Sequence, residues 1–135
     1  MRLLLDTHIL IALARREIAW AEPDLASMLQ AADNVLFASA ASTWEMAIKL
    51  RLGKLDPGMP VTDIPEYLDK IGMVLLDISH RHTTAKLDPE PVTRDPFDRL
   101  LLAQCAVEDL RLVTRDTQLS DHPLCWHAAT PGGGR

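Results

Sequence analysis

Short apolar runs alternate along this chain with segments of helical periodicity, and that alternation admits few folds. Leu3 to Leu5 is apolar throughout and stops at Asp6, after which Ile9, Leu10, Leu13 and Ala14 recur at helical spacing. Asn34 to Ala38 reads as a second strand, Met73 to Leu76 as a third, Leu112 to Thr114 as a fourth and Leu124 to Trp126 as a short fifth. Helices are predicted between them: from Pro23 to Ala32, from Ser42 to a stop at Gly53, around Asp63 to Ile71, from Ser79 to Leu87, and from Phe97 to Val107. Strands joined through helices favour parallel pairing, because a parallel neighbour needs a crossover of a dozen or more residues. The prediction is therefore an α/β domain with a mainly parallel central sheet of four to five strands.

At 135 residues the chain is most simply a single domain, spanning 1–129. The tail from Thr130 to Arg135 carries no large apolar side chain and is expected to be flexible. The apolar run at Met1–Leu5 is cut short by Asp6 and His8, and no stretch nears the ~20 apolar residues of a membrane span. A cytoplasmic chain with no membrane partner is expected. Cys105 and Cys125 form neither a disulfide framework nor a metal-ligand spacing, and Cys105 reads as a small buried thiol. His80 and His82 flank Arg81 with no third ligand of zinc spacing and read as solvated surface.

The chemistry is carried by acids. Asp6, Glu45, Asp98 and Asp116 each stand where a predicted strand ends or a helix begins. In an open parallel sheet, ligands bind beyond the carboxyl ends of the strands, so acids delivered there from separate segments can converge. Carboxylates without a Cys/His set around them suit a hard, oxygen-seeking cation such as Mg2+ or Mn2+. Each acid also has a local explanation. Asp6 fits an N-cap, and Ser42 with Glu45 fits a capping box. Glu45 precedes Lys49 by one helical turn, as in a surface ion pair. Asp95, Pro96, Phe97 and Asp98 fit the N-cap and the first three positions of a helix, and Asp116 fits a turn cap before Gln118. Convergence is what separates the two readings.

A net charge of −5 and a pI near 5.4 do not announce a nucleic-acid binder. Distribution matters more than the total, and Lys49, Arg51, Lys54, Arg94, Arg99 and Arg115 lie near the acidic segments, although each is equally well a solvated charge. Three Trp, two Phe and one Tyr leave little for an aromatic stacking platform.

Four blocks occur in a telling order: Leu4-Leu5-Asp6-Thr7-His8, Ser42-Thr43-Trp44-Glu45-Met46-Ala47-Ile48-Lys49, Asp95-Pro96-Phe97-Asp98-Arg99-Leu100-Leu101-Leu102-Ala103-Gln104, and Leu112-Val113-Thr114-Arg115-Asp116. Together they resemble the PIN-domain family of metal-dependent nucleases, in particular toxins of the VapBC type. The resemblance covers nearly the whole chain except the glycine tail. It implies a PIN-like three-layer α/β/α sandwich and an Mg2+-dependent endoribonuclease, with Mn2+ as a substitute. Carried over position by position, it assigns the catalytic, metal-binding acids to Asp6, Glu45, Asp98 and Asp116. Asp95 is an auxiliary ligand or only the helix cap. Thr7, Thr114 and Arg99 become contacts for substrate or water, although the two threonines also suit local hydrogen bonds. His8 stands where many relatives carry Asn; it either touches substrate or packs on the first helix. The resemblance further implies an RNA substrate, a homodimer, and a VapB-type antitoxin held in an apolar groove; the helices around Ile9 to Trp20 and Trp44 to Leu52 are candidate walls, although core explains most of their apolar residues.

Three other readings compete. A haloacid-dehalogenase-like phosphatase would use Asp6 as nucleophile, but its usual second aspartate is replaced by His8. An inert RNA- or protein-binding module of the same fold would retain the acids without activity. A receiver-like phosphoacceptor domain would need a nucleophile after a middle strand, which Asp77 fits poorly.

Overall fold

The computed structural model describes residues 1–17 and 23–127. Trp20 and the predicted 130–135 tail lie outside the described residues. Four strands, β1 (Arg2–Leu5), β2 (Val35–Ser39), β3 (Val74–Leu76) and β4 (Arg111–Val113), form one parallel sheet in the order β3-β2-β1-β4. Leu4 of β1 lies opposite Phe37 of β2 on one side and Leu112 of β4 on the other. The chain progresses outward from β1 to β3 and then returns past β1 to place β4. The crevice between the carboxyl ends of β1 and β4 is thus a topological switch point, where α/β proteins bind ligands.

Strand β1 explains why the sheet needs a helix layer on each face. Leu3, Leu4 and Leu5 are all fully buried, and successive strand side chains point to opposite faces. Leu3 and Leu5 pack with Ile9 and Leu10 of α1 (Thr7–Ala14), Met28 of α2 (Pro23–Gln30), Met46 of α3 (Ala40–Arg51) and Leu68 of α4 (Ile64–Lys70). Leu4 packs with Leu101, Leu102 and Cys105 of α6 (Pro96–Glu108) in a second core. Burying one leucine stabilises by roughly 1.5–3 kcal/mol, so this strand is a main anchor of both layers. The expected three-layer α/β/α arrangement is what the chain adopts.

Several local expectations shift. The Leu124–Trp126 segment is not a fifth strand. It meets the sheet at a single bridge, Cys125 to Leu112, closed by Leu112 N–H to Leu124 O and Trp126 N–H to Leu112 O, each 2.8 Å. Helix α3 begins at Ala40, with Ser39 as its cap accepting from Ala41 N–H at 2.9 Å. Ser42 and Glu45 therefore lie inside the helix and form no capping box. The helix predicted from Ser79 to Leu87 is only α5 (His80–Thr84). His82 is 2 % exposed rather than solvated, with Nε2 2.7 Å from Glu108 Oε2 and Nδ1 accepting from Ser79 N–H. Gly53, past the end of α3, holds φ +70, a conformation that glycine adopts without the steric cost of a side chain.

Candidate active site

Asp6 follows β1 directly and caps α1. Its Oδ1 accepts from Ile9 N–H at 2.9 Å and its Oδ2 accepts from the Thr114 hydroxyl, while its own N–H donates to Val113 O of β4 at 3.0 Å. The carboxylate is buried, and its pKa is raised by that burial; the Thr114 and Ile9 hydrogen bonds, His8 and Arg115 act in the opposite direction. Thr114 also accepts from Asp116 N–H at 3.0 Å, so one hydroxyl ties the acids after β1 and β4 together. Asp116 in turn accepts from Gln118 N–H at 2.9 Å, the turn cap expected of it.

Thr7 links α1 to α3. Its Oγ1 lies 2.7 Å from Glu45 Oε1 and 3.0 Å from Ser42 Oγ. A carboxylate only accepts and a hydroxyl has one proton to give, so Thr7 donates to Glu45 and the Ser42 hydroxyl completes the chain by donating to Thr7. Glu45 is 3 % exposed, and its other oxygen receives Lys49 Nζ at 2.5 Å. The expected surface ion pair is therefore a mostly buried acid with a half-exposed lysine over it. The Glu45 hydrogen bond raises the Lys49 pKa, and the charges of Glu45, Asp95 and Asp98 add to that effect.

Asp95 caps α6, its Oδ1 accepting from Phe97 N–H at 2.8 Å and Asp98 N–H at 3.5 Å. Asp98, one turn inside, has its pKa pushed up to about 7. Burial is the largest cause, followed by the charges of Asp95, Glu45, Asp116 and Asp6 in that order. The four other acids singled out in the sequence thus all act on the Asp98 carboxyl group, although most of them arrive on separate elements. Asp6, His8, Arg115 and Asp116 line a cavity of about 380 Å³. His8 is exposed at this cavity rather than packed on the first helix.

Arg99 is not brought to the acids. Its Nε meets Glu90 Oε1 at 2.6 Å and its guanidinium also reaches Ala85 O at 3.2 Å, pinning the loop before α6. Lys49 and Ser42 join the site although nothing local in the sequence sets either one, taken alone, apart from a surface charge or a helix cap. The i, i+3, i+7 spacing of Ser42, Glu45 and Lys49 on one helix could have shown them sharing a face.

Oxygen donors whose charges all bear on the Asp98 carboxyl group suit a hard divalent cation, which would relieve that repulsion. Among the described residues no three Asp, Glu, His or Cys side chains are already drawn into a ligand group. The fit therefore rests on the all-oxygen chemistry and on the four acids whose charges bear on Asp98.

The chain matches the family model described as PIN domain over residues 3–123. It is 40% identical over 58 residues to Ribonuclease VapC16 of Mycobacterium tuberculosis, a match spanning 42% of this chain and 41% of that relative. The chain thus aligns with well under half the length of that curated relative. Among solved structures, VapBC2 from Rickettsia felis bound to a promoter DNA fragment is similar with a TM-score of 0.63 at 16% identity, covering 93% of this chain and 96% of that one. VapBC-1 from nontypeable Haemophilus influenzae gives 0.59 at 17% identity, with 95% and 98% covered. A toxin–antitoxin complex from Klebsiella pneumoniae gives 0.57 at 18% identity, with 92% and 95% covered. At these identities the structural likeness speaks for the fold.

Proposed function

The chain belongs to the PIN-domain family, and from that premise we propose that it is an Mg2+-dependent endoribonuclease, the toxin of a type II toxin–antitoxin pair. The observation that carries the reading is Asp98, a carboxyl group held near pH 7 by burial and by four other acids. A site that strains its own carboxylates in this way is built for a cation. The likeness to a protein named as a ribonuclease supports the reaction class, and the likeness to toxin–antitoxin complexes supports a VapB-type antitoxin as partner. A cytoplasmic location belongs to the same proposal; no helix among the described residues is long and apolar enough to cross a membrane. A homodimer is part of the same proposal.

Asp6, Asp98 and Asp116 would hold the cation, with Glu45 completing or orienting the set and Asp95 serving as an auxiliary ligand or only as the helix cap. When bound, Mg2+ supplies charge stabilisation at the phosphoryl group and makes a water a better nucleophile. The protein's own part is positional. Thr114 fixes the Asp6 carboxylate from one side and Ile9 N–H from the other. Thr7 and Lys49 hold the two oxygens of Glu45, so that this acid is set to orient the attacking water. Mn2+ serves in place of Mg2+, since its ligand preferences are similar. His8 at the cavity leaves the phosphatase alternative without its second acid.

The test is to incubate the purified chain, freed of any partner, with total cellular RNA in Mg2+ or EDTA, beside Asp98→Asn. Discrete fragments that require both the metal and Asp98 are expected. Intact RNA in every lane, with folded protein, would leave an inert module of this fold.

A further inference from the structure

The composition promised little for base stacking, yet two of the few aromatic rings meet between the helices that carry Glu45 and Asp98. Trp44 of α3 and Phe97 of α6 lie edge to face, their centroids 5.6 Å apart and their planes at 75°. Trp44 directly precedes Glu45 and Phe97 directly precedes Asp98, so the ring pair joins the two helices that carry those acids. Phe97 is half-buried, whereas Trp44 is 57% exposed, among the most exposed large apolar side chains described. An indole held at its edge by a neighbouring ring is already oriented and still offers a face.

We propose that Trp44 is a stacking platform for an unpaired base of single-stranded RNA, next to the phosphate presented to the acid cluster. The proposal rests on the ribonuclease reading above and adds a substrate contact to it. Electrostatics argue for such a contact. A chain of net charge −5 has no bulk attraction for a polyanion, and the candidate site concentrates negative charge. Contacts that need no charge therefore add to what the cation and the nearby Lys49 and Arg115 supply. Stacking on an aromatic face is one, and it tolerates any base because every base has a π-face. Trp44 supplies the ring and Phe97 holds it, on the two helices that also carry Glu45 and Asp98. A base in a duplex is unavailable to the ring, so the substrate is a loop or single strand.

The experiment measures binding of a short single-stranded RNA, and of the same strand with an abasic nucleotide, to full-length Asp98→Asn protein in Mg2+. Each strand is tested with Trp44 intact and with Trp44→Ala or Trp44→Phe. Trp44→Ala should weaken binding of the complete strand by roughly 5- to 150-fold. The abasic strand should lose affinity to a similar degree, and the two changes together should cost little more than either. Trp44→Phe should recover much of the loss, and the salt dependence of binding should stay the same. In the active background, Trp44→Ala should raise KM more than it lowers kcat. Affinity for the complete strand that is the same with Trp44 as with Trp44→Ala, with cleavage intact, overturns the stacking role and leaves the nuclease reading standing. Loss of antitoxin binding with RNA affinity unchanged overturns it in favour of a protein-docking face. Protein that neither cuts nor binds RNA with Trp44 intact sinks the nuclease reading and this proposal with it.

Discussion

Asp98 is where a single residue reports on the whole site. Its folded-state pKa of about 7 stands above the ordinary aspartate value of 3.8, so folding takes up a proton between those two values. Stability therefore falls as pH rises through that window, and the full penalty applies above pH 7. Asp98→Asn removes the charge and keeps the shape. Without divalent cation it should stabilise the protein at pH 8 by about 1 kcal/mol, a value discounted for the half-exposed setting, or about 4 °C in Tm. The gain should vanish below pH 4, where both forms are neutral. Melting curves across pH in EDTA check this, and adding Mg2+ should reverse the order by stabilising only the wild type. Thr114→Val tests a second residue: it removes the hydroxyl that bonds Asp6 and supports Asp116. A charge-assisted bond of this kind contributes about 1.5–3 kcal/mol, so a denaturation midpoint lowered by that order is expected at neutral pH. Asp6 and Asp116 were legible because each follows an apolar strand. Lys49 and Ser42 were not, because their part in the site depends on α3 starting at Ala40 and turning that face to Thr7.

At the scale of elements, the starts of helices do double duty. Asp95 caps α6 through Phe97 N–H and Asp98 N–H, and its charge is the foremost of those raising the pKa of Asp98. The two roles separate by substitution. Asp95→Asn keeps a good cap and should leave Tm nearly unchanged while weakening Mg2+ binding; Asp95→Ala should do both harms, costing about 1 kcal/mol for the cap. Calorimetric titration beside thermal melting distinguishes them. Helix α3 shows how a local signature misleads. Ser42 and Glu45 match the capping-box spacing, but β2 runs to Ser39, paired with Leu76, and the helix starts as soon as that strand ends. Strand pairing decided the boundary, and no window around Ser42 contains it. His82 failed as a surface residue for a similar reason: its partner Glu108 lies 26 residues away on another helix. The Leu124–Trp126 run had the composition of a strand, yet pairing depends on neighbours as well as composition, and it found room for one bridge only.

For the whole molecule, alternation of strand and helix was enough to give the parallel sheet and its two helix layers. The order β3-β2-β1-β4 was not legible, but it makes the acids converge: it sets β1 beside β4 and opens the crevice at Asp6 and Asp116. The packing of α3 near the start of α6 then brings Glu45 toward Asp98, and the Trp44–Phe97 contact marks the place. The meeting of these rings could not be read from the chain because 53 residues separate them (97 − 44). Arg99, by contrast, looked like a substrate contact from sequence and is bound to Glu90 and the Ala85 carbonyl. The central claim is that acids from separate elements hold one divalent-cation centre. The most direct measurement is Mn2+ binding by magnetic resonance to the wild type and to Asp6→Asn, Glu45→Gln, Asp98→Asn and Asp116→Asn, each first shown to be folded. The account expects saturable binding by the wild type, weakened about tenfold or more by every aspartate substitution and by a smaller factor for Glu45→Gln. Binding that survives unchanged when any of the three aspartates is replaced would contradict it.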